Sequence, residues 1–246
     1  MTAPEGAAMP LLDHFRPPLV DRRDWHSFHH AWAAQLAGDL NDQTPDEFFA
    51  EPNVKFGIEI DVGTFEEPQA GVGGPGGWSP PAADAEFPFL LTDAVAAVEV
   101  YRQFGGRVLC GVVELVSPAN KDRPASHAAF VSKCETFLRA GVGVVVVDVV
   151  TERHADLHAL ILERSGAGRP PLGSDLYAAA YRPTGTSPDG RLAVWERPLA
   201  VGEPLPSLPL WLPVGLCLEV RLEETYQRTL RQLKIRPPQP AASSSG

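Results

Sequence analysis

The sequence has only three cysteines in 246 residues, Cys110, Cys134 and Cys217. They are odd in number, widely spaced and set in apolar patterns, so neither a disulfide framework nor a paired-cysteine zinc site is built from them. They read as reduced, buried core residues. No apolar run approaches the roughly 18 to 20 residues that a membrane-spanning helix needs. The stretch Met1 to Leu12 lacks a basic region followed by an apolar run, so no secretory signal and a cytoplasmic location are expected. Positive charge is also short: the formal net charge is −10, which excludes coating nucleic acid through the overall field. Local basic patches remain at Arg102 with Arg107, Lys121 with Arg123, and Arg228, Arg231, Lys234 and Arg236. The last group reads as the solvated face of a terminal helix. Missing too are an internal repeat, a G-x-S-x-G elbow, and a Lys-Ser or Lys-Thr after the glycines between Gly71 and Gly77.

What is present suffices for one α/β domain with a proper core, since 44% of the residues are hydrophobic. Phe28, Trp32, Leu36 and Leu40 recur four apart, predicting a helix over Trp25 to Leu40 with Asp24 as its N-cap. Pro17 and Pro18 hold the chain before it extended, and residues 1–24 are expected to wrap over the domain as an arm. From Phe48 to Val62, apolar and polar residues alternate as in a half-buried strand, with Glu59 and Asp61 on one face. Residues 66–88 are rich in Gly and Pro and read as a surface loop. Ala94 to Arg102 and Val108 to Ser117 then read as two strands of an antiparallel hairpin.

Pro124 opens a helix in which Phe130, Cys134, Phe137 and Leu138 keep helical spacing up to Gly141. Val142 to Val150 is a β-branched run, the pattern of a strand covered on both faces. Strand, helix and strand with short links predict a parallel β-α-β crossover over residues 107–150. Further on, a helix is expected over Asp156 to Arg164, strands near Leu176 to Arg182, Leu192 to Arg197 and Gly215 to Val220, and a terminal helix over Leu222 to Ile235. Pro237 to Gly246 has a disordered composition.

One residue stands out chemically. Glu114 lies in Val112-Val113-Glu114-Leu115-Val116, apolar on both faces, and a carboxylate removed from water needs a cation, a metal or a proton. Lys133 lies on the flank of the following helix, about 70° from the centre of its apolar face, from which a long stem can reach inward. Lys121 is a second amine near the strand end. Asp148, in the buried strand, reads as a pairing or capping acid. Simpler readings stand beside these: Asp61 as a solvent-facing strand acid, Glu114 as a structural acid paired with a base, Lys133 as an ordinary flank lysine. His26 and His30, four apart with no third ligand, make no metal site. His29, His127, His154 and His158 show no partner that defines a relay.

The succession Val113-Glu114-Leu115-Val116-Ser117-Pro118, a helix bearing Lys133, Gly141-Val142 and a strand ending at Asp148, with Ile60-Asp61-Val62 upstream, resembles the PD-(D/E)XK nuclease superfamily. It is most similar to a bacterial branch whose catalytic lysine is displaced to the following helix. The resemblance covers about residues 25–150. It implies an α/β fold: a mixed sheet with a restriction-endonuclease-like α-β-β-β-α-β core (25–150), a C-terminal α+β extension of the same domain (151–236), and a tail (237–246). It implies Mg²⁺, or Mn²⁺, held by Asp61, Glu114 and the backbone carbonyl of Leu115, with Lys133 assisting catalysis and Glu99 as a further ligand or base. DNA is the implied partner, and a homodimer is compatible with it. Two positions depart from the superfamily pattern: Val116 stands where lysine is usual, and Ile60 where proline is. A catalytically inactive nuclease-fold module that binds protein or nucleic acid is therefore the alternative.

Overall fold

The computed structural model describes residues 10–53, 60–66, 82–88, 108–167, 172–185, 189–212 and 215–236. Helix α1 (Trp25–Asn41) begins where Asp24 accepts a hydrogen bond from the Ser27 amide, and it buries Trp25, Phe28, Trp32, Leu36 and Leu40 along one stripe. The described part of the arm packs beneath it. His14 and Phe15 meet Trp25, and the Leu11 amide donates to the Glu203 carbonyl.

The expected single strand over Phe48 to Val62 is instead two: β1 (Phe48–Asn53) and β2 (Ile60–Glu66) pair antiparallel, Phe48 opposite Glu66. Alternation alone cannot say where a chain reverses. The register also shifts between Glu51 and Asn53, and Pro52 between them is tolerated because β1 is an edge strand. The alternating residues Val54 to Glu59 lie outside the described residues. The expected loop over 66–88 also needs correction, because β3 (Ala85–Pro88) forms a strand. Four residues carry too little periodicity to be read, and their Gly- and Pro-rich surroundings signalled a loop. The first strand of the expected hairpin, Ala94 to Arg102, and the tail from Pro237 lie outside the described residues.

The β-α-β unit forms as its pattern predicts. Strand β4 (Val108–Leu115) pairs in parallel with β5 (Gly143–Asp148), and α2 (Pro124–Arg139) links them after a short 3₁₀ turn at Pro118–Lys121. Gly141, at φ 80°, ends α2: its amide donates to Leu138 and that of Val142 to Phe137, a left-handed exit that glycine adopts without strain.

The second half of the chain joins the same sheet. Helix α3 (Leu157–Arg164) packs on α2, while β6 (Tyr177–Thr184) and β7 (Arg191–Pro198) extend the sheet from β5. The result is a mixed seven-stranded sheet in the order β1-β2-β4-β5-β6-β7-β3, in a mixed α/β fold. A hairpin of β8 (Ser207–Trp211) and β9 (Cys217–Arg221) then lies over β4, β5 and β6, followed by α4 (Leu222–Gln232) against α1. The sequence pattern missed β8, whose five residues include Pro209. Asp39 of α1, buried, binds Arg228 of α4 at 2.9 Å, and the Trp32 indole donates to Thr225 at 3.1 Å. Cys110 and Cys134 are buried free thiols as expected, whereas Cys217 is only partly buried.

Gly111 and Gly143 are cross-strand partners and make the floor on which the hairpin sits. A Cβ on Gly143 would fall 2.1 Å from the Trp211 carbonyl oxygen, a backbone atom. Gly143→Ala is therefore expected to lower the unfolding free energy by about 3 kcal/mol, the upper part of the usual overpacking range. Urea denaturation measures this, and a wild-type midpoint would refute the close packing.

Burial pushes the His14 imidazole down to about 4 against the pull of Asp13, and its Nε2 shares a hydrogen bond of 2.8 Å with the Tyr226 hydroxyl. Folded His14 thus stays neutral where an unfolded histidine binds a proton. Its stabilisation is full above about pH 6.5 and is lost as the pH falls toward 4, on the order of 3 kcal/mol. His14→Phe is expected to flatten the stability profile between those values in denaturant titrations at stepped pH. An unchanged slope would contradict this assignment.

Candidate functional site

Alternation along β4 sorts its side chains. Gly111 lies under the hairpin, so Val113 and Leu115 share that face, while Cys110, Val112 and Glu114 lie on the opposite face, toward α2. Glu114 is 1% exposed. The cation it requires comes from α2: Lys133 Nζ stands 2.7 Å from Glu114 Oε2, with 11% of its side chain exposed. The lysine stem runs along the helix flank, and its ammonium lies 5.3 Å from the Phe130 ring centre. The flank position read from helical geometry thus delivers its amine to the strand acid.

A second acid–amine pair lies beside the first. Lys121, from the 3₁₀ turn, stands 3.0 Å from Asp148 Oδ2 at the end of β5, and both side chains are fully buried. The ammonium also donates to the carbonyls of Val150 and Asp175. Asp148 accepts from the Val150 amide at 3.0 Å. Burial, opposed by Lys121, pushes its carboxyl up to about 6. Lys121 is therefore committed to Asp148 and is not the amine of Glu114. Its burial also removes it from the expected Lys121–Arg123 surface patch.

Asp61 is placed by backbone register. Val62 pairs with Val113 at the end of the antiparallel β2–β4 ladder, and Asp61 precedes Val62 on β2. Its side chain lies outside the described residues, as does Glu99 entirely. The Leu115 carbonyl accepts a hydrogen bond from His29 Nε2 at 3.0 Å. Because a carbonyl only accepts, Nε2 carries the proton. The donor set of two carboxylates and a carbonyl is all hard oxygen, which suits Mg²⁺ or Mn²⁺. Among the described residues no group of three His, Cys, Asp or Glu side chains is arranged to hold a metal.

Two histidines take part in contacts that residue spacing alone did not assign. His29 falls four residues after Trp25 and three before Trp32, on the buried stripe of α1, and that position was the available signal. His158, expected to have no relay partner, has two. Its Nδ1 is 2.5 Å from the Tyr181 hydroxyl and its Nε2 is 2.9 Å from Glu196 Oε2, with the ring fully buried. Its place beside Leu157 and three before Ile161, both buried, marked it as inward-facing. His154 meets Asp175 at 2.7 Å on the surface.

Compared with protein-family models, with curated proteins and with solved structures, the chain shows no significant match. Among the described residues no helix is long and apolar enough to cross a membrane.

The Lys133–Glu114 pair makes a direct prediction. Lys133→Met leaves an uncompensated charge in the sheet and is expected to lower the unfolding free energy by about 3 to 5 kcal/mol. Combining it with Glu114→Gln should recover most of that loss. Urea melts of both variants measure the coupling; a double variant no more stable than the single one would show that the two groups are not coupled.

Proposed function

We propose that the protein is a Mg²⁺-dependent nuclease of the restriction-endonuclease-like class that hydrolyses phosphodiesters in DNA. The observation that carries this reading is the 2.7 Å contact between Lys133 on the helix and Glu114 on the strand, with Asp61 on the neighbouring strand β2, one residue before the Val62–Val113 pair. The order α1, β1, β2, β4, α2, β5 supports it, being the α-β-β-β-α-β succession of the superfamily, with β3 carried off to the far edge of the sheet.

In this reading Asp61, Glu114 and the Leu115 carbonyl would hold the cation, whose chemistry when bound would be to acidify a water molecule. Lys133 contributes a positive charge within reach of the same carboxylate, where negative charge grows on the phosphate oxygens. Its neighbour Phe130 and its mostly buried stem restrict where that ammonium can go. His29 acts as a positioning residue, fixing the plane of the Leu115 carbonyl from behind through its Nε2 proton. A cytoplasmic setting belongs to the same reading, in which the three free thiols stay reduced.

A second reading, an inactive module that keeps the fold for binding, is favoured by one observation. Glu114 is 1% exposed and already neutralised by Lys133, and the carbonyl beside it is already engaged by His29. The two readings part on metal and on cleavage. The nuclease reading expects Mn²⁺ binding in calorimetry that Asp61→Asn abolishes. It also expects nicking of plasmid DNA in Mg²⁺ or Mn²⁺ that falls at least about 100-fold in Glu114→Gln and Lys133→Ala. Cleavage that persists in EDTA, or no cleavage of any single- or double-stranded DNA, would overturn it. Metal binding lost in Asp61→Asn would count against the inactive module.

A further inference from the structure

The molecule carries a basic pocket away from the Glu114 centre. It has a volume of about 1190 Å³ and lies between the arm and the exit of α4. Arg22 and Arg23 of the arm and Lys234 and Arg236 beyond α4 line it, and all four are exposed. Its one acid among the described lining residues is Asp13, which is already engaged: it accepts from Thr151 Oγ1 at 2.6 Å and stands 3.5 Å from Arg16.

Charge pairing sets these four apart from their neighbours. On α4 itself Arg228 meets Asp39 and Glu224, and Arg221 just before it meets Asp39, Glu219 and Glu224. Arg22, Arg23, Lys234 and Arg236 form no ion pair among the described residues. In a chain of net charge −10, four cations converging on one concavity repel one another unless an anion sits among them.

The backbone adds an independent sign. Lys234 stands at φ 54°, in the left-handed region, where it closes α4: its amide donates to Arg231 and the Ile235 amide to Leu230. Glycine is the usual residue at that position because a side chain there is strained. The strain holds a lysine at the pocket wall.

We infer that this pocket binds the phosphodiester backbone of a nucleic acid, Arg22, Arg23, Lys234 and Arg236 each facing a phosphate. A polymer suits it better than a small ligand, since enclosed small-molecule sites run about 300 to 1000 Å³ and this concavity is larger, with its cations on two separate segments. The position suits a polymer too. Thr151 follows β5, so Asp13 ties the pocket to the C-terminal ends of the parallel strands β4 and β5, where β4 ends with Leu115. The inference goes beyond the nuclease reading, because backbone binding here needs neither metal nor cleavage.

The test is fluorescence anisotropy of a labelled DNA duplex with the full chain in EDTA over a series of salt concentrations. Four phosphate contacts predict that log K falls with log salt at a slope of about −3 to −4. Arg22→Ala/Arg23→Ala is expected to bind at least about tenfold more weakly, with a slope shallower by about 2. Lys234→Gly removes one charge while relieving the strained backbone, so it should weaken binding several-fold without lowering the melting temperature. Arg164→Ala, which removes an exposed charge on α3 outside the pocket, should bind as wild type does. No salt-dependent binding by wild type, wild-type affinity in both pocket variants, or full displacement of DNA by pyrophosphate at micromolar concentration would overturn the inference. DNA bound in EDTA but never cut would refute the nuclease reading alone. DNA cut equally well by the pocket variants, with unchanged binding, would refute this inference alone.

Discussion

A carboxylate in the middle of a sheet cannot stay charged without a counter-charge, and Glu114 finds one only because α2 returns over the strand it follows. The parallel β4–β5 pairing requires that crossover, the crossover lays α2 on the sheet, and the flank of α2 then carries Lys133 to Glu114. The Lys121–Asp148 pair repeats the arrangement one strand over, with the 3₁₀ turn as donor. Buried pairs of this kind add little net stability, because desolvation consumes most of their attraction. What they fix is alignment: neither α2 nor the turn can slide without stranding a charge.

The other face is held by different means. Aromatic rings from the arm, α1 and α4 meet around Tyr226, whose hydroxyl also accepts the Leu12 amide and contacts His14. Asp39 of α1 is clamped by Arg221 at the end of β9 and by Arg228 of α4. Burial pushes the Asp39 carboxyl upward and the two guanidinium groups oppose that shift. The hairpin β8–β9 completes this face by resting on a floor without side chains at Gly111 and Gly143.

Legibility in the sequence followed the length of the signal. The four-residue stripe of α1, the spacing of Phe130, Cys134 and Phe137, and the β-branched run before Asp148 all report long elements with many turns or alternations. β3 and β8 escaped because four or five residues, with a proline in each, carry no usable period. The β1–β2 reversal escaped because alternation is blind to direction. At the site, Lys133 was readable since helical angle is arithmetic. The partners of His29 and His158 were not, since a carbonyl on β4 and the tyrosine and glutamate on β6 and β7 come near them only through the tertiary fold. Val116 directly follows β4, its amide donating to the Val147 carbonyl, and Ile60 pairs with Asn53 beyond the register shift of β1.

β3 is a short strand with a long reach. Its partner, β7, begins about a hundred residues later, with Ala85 opposite Val194 and Pro88 opposite Arg191. The Leu11 amide is likewise bonded to Glu203. Pairings of such sequence separation slow folding, because loop entropy is lost before any contact compensates it. On the ribosome, β4, α2 and β5 can assemble as a local unit soon after they emerge. The seventh place in the sheet stays open until β7 follows, so a nascent chain carries an unfinished sheet edge until that strand has emerged.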